Sequence, residues 1–487
     1  MGREPVSQYT LYHATLVHTP SLGEIEVLPN MLVGVDQTGK IDFLQEFTAE
    51  LKSVHGSADA YFRHVNANEF AFVDYSLSPC SFLFPGFVDT HIHASQYPNV
   101  GIGSELPLLD WLKDYTFALE SQFCGDRPEK LAFAREIYTK VVEKTLNNGT
   151  TCASYFTTID TATTKLFADI LVEKGQRGMV GKVCMDHNQP YPSYAEPMDA
   201  CLEGMHDLMK HCEKLNENTH KTGKLPLVKP IVTPRFAPVC LREFMAELGT
   251  LARENDLPVQ THISENLDEI KLVKEIFPEC ANYTSVYDTF GLLGPSTILA
   301  HAIHLNAQER EIVRLKQCSI SHCPTSNSFI TSGEAPVKEY LYENDINVSL
   351  GTDLSGGHEQ SILAVAKHSV LVSHHLTMGS EKNHSISVAD ALFMATMGGA
   401  RACNLEHQLG SFAKGKYFDA QLIDVHSANS NIDVFDFQKP QVGKTDYVKK
   451  VVLLVHRWVF SGDDRNCVKV WCGGDLVVDK ADPWVYV

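Results

Sequence analysis

At 487 residues the chain is long enough for one large domain and a smaller one. Lys+Arg 41 against Asp+Glu 60 gives a formal net charge of -19, which repels nucleic-acid backbones and anionic membrane surfaces and leaves a small or neutral substrate as the better fit. The 13 cysteines include no Cys-x-x-Cys pair, so neither a zinc ribbon nor a disulfide framework is indicated.

Met1-Gly2-Arg3-Glu4-Pro5-Val6 lacks a basic-then-apolar signal pattern, and Val6 stands where a myristoylation signal wants Ser or Thr. No apolar stretch approaches the ~20 residues of a membrane helix. A soluble cytoplasmic protein with reduced thiols is expected. As far as residue 80 the pattern is β, with runs at 9–17, 30–36 and 40–44 and a Gln37-Thr38-Gly39 turn between the last two. Residues 1–80 are thus expected to form one part of a small β domain.

The apolar run Cys80-Ser81-Phe82-Leu83-Phe84 reads as a buried strand leading into Pro85-Gly86-Phe87-Val88-Asp89-Thr90-His91-Ile92-His93. Residues two apart on a strand share a face, so both imidazoles can reach one metal ion. Alone this is weak, because a chain with 22 histidines places some pairs two apart by chance. Further short apolar runs fall at 150–156, 181–185, 228–232, 258–263, 297–302, 319–322 and 348–351, giving eight candidate strands with the first. Helical spacing separates them, as at 131–142. The alternation predicts an α/β fold, a (β/α)8 barrel over residues 81–410 with its chemistry at the C-terminal strand ends. His262, His301 and Asp353 each end a strand-like run, which places metal-ligating residue types around a barrel mouth. After residue 410 the β style resumes at 420–425, 451–455 and 475–479. Residues 411–487 are expected to complete a β-sandwich domain with 1–80.

Several side chains near those strand ends allow more than one role. Glu265 can carry protons or cap the helix expected at 267–277. Arg235 and Phe236 can grip and stack on a planar heterocycle, or pair with a buried carboxylate and join the core. Gln96 offers both a donor and an acceptor. The loop 105–112 can close over a pocket, with Leu106 or Trp111 excluding water. Cys323 has no evident base and reads as a small buried hydrophobe, and His368, His374 and His375 fall on a helix after Gly356-Gly357.

His91-Ile92-His93 with the first strand, His262 with the fifth, His301 with the sixth and Asp353 with the eighth resemble the amidohydrolase superfamily. The resemblance implies catalytic zinc held by His91, His93, His262 and Asp353, an open position for water, and His301 beside the metal. Two-metal members bridge their ions with a modified lysine at the end of the fourth strand. This chain has Ile231-Val232-Thr233-Pro234-Arg235-Phe236 there, and Lys229 lies at the other end of the run, so one Zn2+ per chain is implied.

Longer motifs narrow the match: His91-Ile92-His93-Ala94-Ser95-Gln96-Tyr97, Leu106-Pro107-Leu108-Leu109-Asp110-Trp111-Leu112, Pro234-Arg235-Phe236, His262-Ile263-Ser264-Glu265-Asn266 and Gly351-Thr352-Asp353. They are similar to the guanine-deaminating members of that superfamily. The implied activity is hydrolysis of guanine to xanthine and ammonia in purine catabolism. Glu265 would shuttle protons, while His301 and Asp353 orient the nucleophile. Substrate contacts would come from His93, Gln96, Leu106, Trp111, Arg235, Phe236, His262, Glu265 and Asp353. A homodimer is also implied, with no nucleic-acid or membrane partner. The alternatives are a deaminase or dechlorinase of another heterocycle (a pterin, triazine or adenine derivative) and a catalytically inactive scaffold.

Overall fold

The computed structural model describes residues 8–66, 69–125 and 127–480, so the Met1 to Val6 segment discussed for targeting signals lies outside the described residues. Strands from before and after the central region form one eight-stranded sheet. It contains β1 (Tyr9–His18), β2 (Glu26–Val35), β3 (Ile41–Glu46), β4 (Phe70–Asp74) and β5 (Ser81–Pro85). From the far end come the strands Ala420–Asp424, Cys467–Cys472 and Asp475–Asp479. Tyr12, Leu16, Val33, Phe418 and Trp471 belong to one buried cluster of this sheet, and Tyr9, Leu11, Phe62 and Phe70 belong to another.

The central strands are β6 (Phe87–His93), β7 (Thr150–Phe156), β8 (Arg177–Gly181), β9 (Val183–Cys184), β10 (Val228–Pro230), β11 (Thr233–Pro234), β12 (Val259–Ile263), β13 (Thr297–His301), β14 (Ser319–His322) and β15 (Val348–Leu350). β6, β7, β8 and β10 pair in parallel, as do β12 to β15 in chain order, and β9 pairs with β11. A parallel bridge from Val232 to Val259 joins the fourth and fifth barrel positions. On the opposite side Asp353 N donates to His91 O at 2.8 Å and His93 N to Leu354 O at 3.0 Å, which closes the barrel between its eighth and first strands. Helices such as Lys130–Asn147, Thr161–Lys174, Arg242–Glu254 and Ile362–Met378 fall between the strands. Among the described residues no helix is long and apolar enough to cross a membrane.

Three expectations change. The run at 80–84 is not the first barrel strand: β5 pairs with the Ala420–Asp424 strand, and the histidines lie on β6 itself. The break comes at Gly86, where an added Cβ would sit 2.2 Å from the Thr151 hydroxyl; glycine lets the chain cross against β7 there. The run at 451–455 is part of the helix Tyr447–Ser461, whose buried Tyr447, Val451, Leu454, Val455 and Trp458 follow helical spacing. A five-residue apolar run cannot separate the two periods alone. Finally, the first 80 residues also hold two short helices, Ala49–His55 and Ala58–Val65, capped by Thr48 and Ser57.

Candidate active site

Strand alternation puts His91 and His93 on the same face of β6, and barrel closure brings the ends of β12 and β15 against them. One potential ligand atom each from His91, His93, His262 and Asp353 lies within 4.8 Å of the others. His93 Nε2 is 3.2 Å from His262 Nε2, and Asp353 Oδ1 is 3.2 Å from His91 Nε2 and 3.3 Å from His93 Nε2. His262 Nδ1 faces the carbonyl of Arg235 at 2.6 Å; a carbonyl only accepts, so that nitrogen carries the hydrogen and Nε2 keeps its lone pair toward the cluster.

Electrostatics favours ligand forms. Burial and the neighbouring imidazoles hold His262 well below the usual histidine range, and burial brings His91 down to about 4, so both stay neutral. Burial pushes the Asp353 carboxyl up, but His91 and His93 outweigh it and hold it well below the carboxylate range. His91 Nε2 is buried without a hydrogen-bond partner. Three imidazoles and a carboxylate around such an atom fit a bound transition metal ion.

The backbone at this rim is unusual. Ser264, His301, Ala302 and Asp353 all have φ between 46° and 69°, the left-handed region that non-glycine residues seldom adopt. His301 is thereby turned inward: its Nε2 is 3.4 Å from Glu265 Oε2 and 3.7 Å from Asp353 Oδ2, while Nδ1 meets Asn327 Oδ1 at 2.8 Å. Glu265 is buried and accepts from Ser332 Oγ at 3.3 Å. Burial, with the charges of Asp353 and Glu269, pushes its carboxyl well above the usual range. The capping role goes elsewhere. Asn266 caps the helix Leu267–Ile276 and Glu269 completes the box, accepting from the backbone of Glu265 and Asn266.

A cavity opens onto these groups, lined among others by His93, Gln96, Trp111, Arg235, Phe236, His262, Glu265 and Asp353. Leu108 and Leu112 supply the apolar cover from the 105–112 segment, whereas Leu106 packs half-buried against the core. Arg235 pairs with a buried carboxylate, one of the two roles its sequence context allowed. It lines the cavity, and it forms a fork with buried Glu120, Nη1 to Oε2 at 2.7 Å and Nη2 to Oε1 at 3.4 Å. Gln96 Nε2 donates to the same Glu120 at 2.9 Å. Burial raises the Glu120 carboxyl, but Arg235 outweighs it and keeps it ionised.

Glu120 and Asn327 carry no motif and act through fold contacts, whereas Glu269 stands three residues after Asn266 in a capping-box pattern that the sequence already displays. Cys323 is the buried thiol expected, its pKa pushed well up by burial. His368 and His375 meet Ser328 and Glu334 away from the cluster.

The chain belongs to the amidohydrolase family, whose model matches residues 82–477. It is similar to a Schizosaccharomyces pombe protein named a probable guanine deaminase, 43% identical over 470 residues, with 95% of this chain and 82% of that one covered. The guanine deaminase of Homo sapiens is 39% identical, with 96% of each chain covered. Among solved structures, guanine deaminase from C. acetobutylicum with guanine bound in the active site superposes with a TM-score of 0.79 at 31% identity, over 96% of this chain and 99% of that one.

Proposed function

We propose that this chain is a guanine deaminase, hydrolysing guanine at C2 to xanthine and ammonia. One observation carries the reading: in a chain matching guanine deaminases along its length, the metal-ligating cluster, Glu265 and the Arg235–Gln96 wall all face one cavity. His91, His93, His262 and Asp353 would hold one zinc ion, as their nitrogen and oxygen donors suit. When bound, zinc supplies Lewis-acid activation of water near neutral pH.

The remaining work belongs to side chains. Arg235 donates to O6 and N7 of the base, Phe236 stacks on its face and Trp111 helps exclude water. Glu265 takes a proton from the attacking water at a carboxylate oxygen and gives it to the ring nitrogen beside C2, then takes the second proton from the hydroxyl now on C2 and passes it to the departing amine as the C2 carbonyl forms and the C2–N bond breaks. Its raised affinity for a proton suits an acid that must also return one. His301, between Glu265 and Asp353, orients the attacking water.

Exposed Phe435 and Phe437, stacked at 6.1 Å, support the homodimer reading, and light scattering tests it. A cytoplasmic location fits the scattering of cysteines without a Cys-x-x-Cys pair. The direct test of function is ammonia release from guanine, adenine, pterins and triazines, with and without chelator. Guanine should lead by a wide margin; preferred turnover of a triazine or pterin would favour the rival heterocycle enzyme.

A further inference from the structure

Glu120 does not line the cavity, yet the hydrogen bonds that shape one of its walls end on this residue. Its side chain is 0% exposed. It accepts from Arg235 Nη1 and Nη2, from Gln96 Nε2 at 2.9 Å and from Ser95 Oγ at 3.4 Å. A primary amide has donors at one end and an acceptor at the other, and rotation about its last torsion exchanges them. With Glu120 ionised, that exchange is closed to Gln96. Flipped, its Oε1 would face a carboxylate oxygen at hydrogen-bonding distance, leaving buried acceptors without donors. Gln96 therefore keeps its nitrogen on Glu120 and its oxygen free for the cavity. Arg235, beside it, can only donate.

We propose that Glu120 is a specificity-setting positioning residue: it fixes the wall as an Arg235 donor beside a Gln96 acceptor, which matches a purine carrying a carbonyl next to a ring N–H. This presupposes guanine as the substrate, whose O6 and N1–H form that pair. The telling competitor is 2,6-diaminopurine. It keeps the 2-amino leaving group but puts an amino donor at position 6 beside a bare N1 acceptor. Against it the wall sets donor to donor and acceptor to acceptor, a mismatch that polar sites reject strongly.

The test is Glu120→Gln in the zinc-loaded protein, with steady-state kinetics on both purines. A neutral amide at position 120 can donate or accept, so Gln96 regains its flip. Expected is a fall of about tenfold or more in kcat/KM for guanine, with 2,6-diaminopurine unchanged or improved and zinc content unaltered. A purely structural Glu120 would lower both substrates by one factor; an unmoved ratio overturns the proposal. Where Glu120→Gln fails to fold, Gln96→Leu leaves the Glu120–Arg235 fork intact and should depress guanine alone. Equal losses there overturn the proposal too. No ammonia from guanine in the parent protein would instead sink the functional reading, so the two failures are distinguishable.

Discussion

Glu265 holds its place because another residue took the structural task beside it. Asn266 and Glu269 satisfy the helix start, leaving the Glu265 carboxyl buried against His301 with the Ser332 hydroxyl as a donor. Glu265→Gln keeps the shape and removes the transferable proton. Turnover should drop by ~10² to 10⁴-fold while bound zinc is retained. Activity within a few fold of the parent, measured beside metal content, would remove Glu265 from the proton path. Arg235 is the opposite case, since function and structure share one guanidinium. Arg235→Lys keeps the charge but loses the planar fork to Glu120. We expect kcat/KM for guanine to fall about tenfold or more and Tm to fall with it. A loss of Tm with parental kcat/KM on the folded fraction would leave Arg235 a scaffold residue only.

At the scale of elements, the site depends on how the eighth strand passes the first. Asp89 holds that crossing, accepting from Thr352 Oγ1 at 2.6 Å, Thr352 N at 3.1 Å and His91 N at 3.2 Å. Gly351 makes the approach possible: a Cβ there would lie 2.6 Å from Ser321 Oγ, 2.7 Å from His91 Cβ and 2.9 Å from Cys323 Sγ, all fully or nearly fully buried side chains. Gly351→Ala should therefore cost about 1 to 3 kcal/mol by overpacking, and it should weaken metal retention because His91 must move. Denaturant unfolding and zinc analysis check the two effects; parental values in both would mean the crossing can relax.

These contacts explain what was legible. The period of a strand placed His91 and His93 on one face, and His262, His301 and Asp353 could be found because each ends a short apolar run. Glu120 could not, because it lies 115 positions from Arg235 on a four-residue helix that no periodicity announces. The run at 451–455 misled because β-branched residues can line a helix that is buried on one side.

The terminal sheet is tied to the barrel at the start of β8, the end away from the mouth. Arg177 on β8 meets Asp419 at 3.3 Å with both side chains buried, and Gly473 N donates to the same carboxylate at 2.6 Å. Metal number is the sharpest test at this scale. Among the described residues one group of histidines and acids could hold an ion. Lys229 is exposed on β10, and buried Lys182 pairs with Glu196, so neither offers the bridging side chain a second ion would use. Protein prepared without added metal should hold about one zinc per chain. Chelator should abolish ammonia release and lower Tm, because an ion bound at 100 times its Kd stabilises the fold by about 2.7 kcal/mol. Restoring one equivalent of zinc should return both. Two tightly held ions per chain, or full activity in chelator, would break the link drawn between the missing lysine and a single metal.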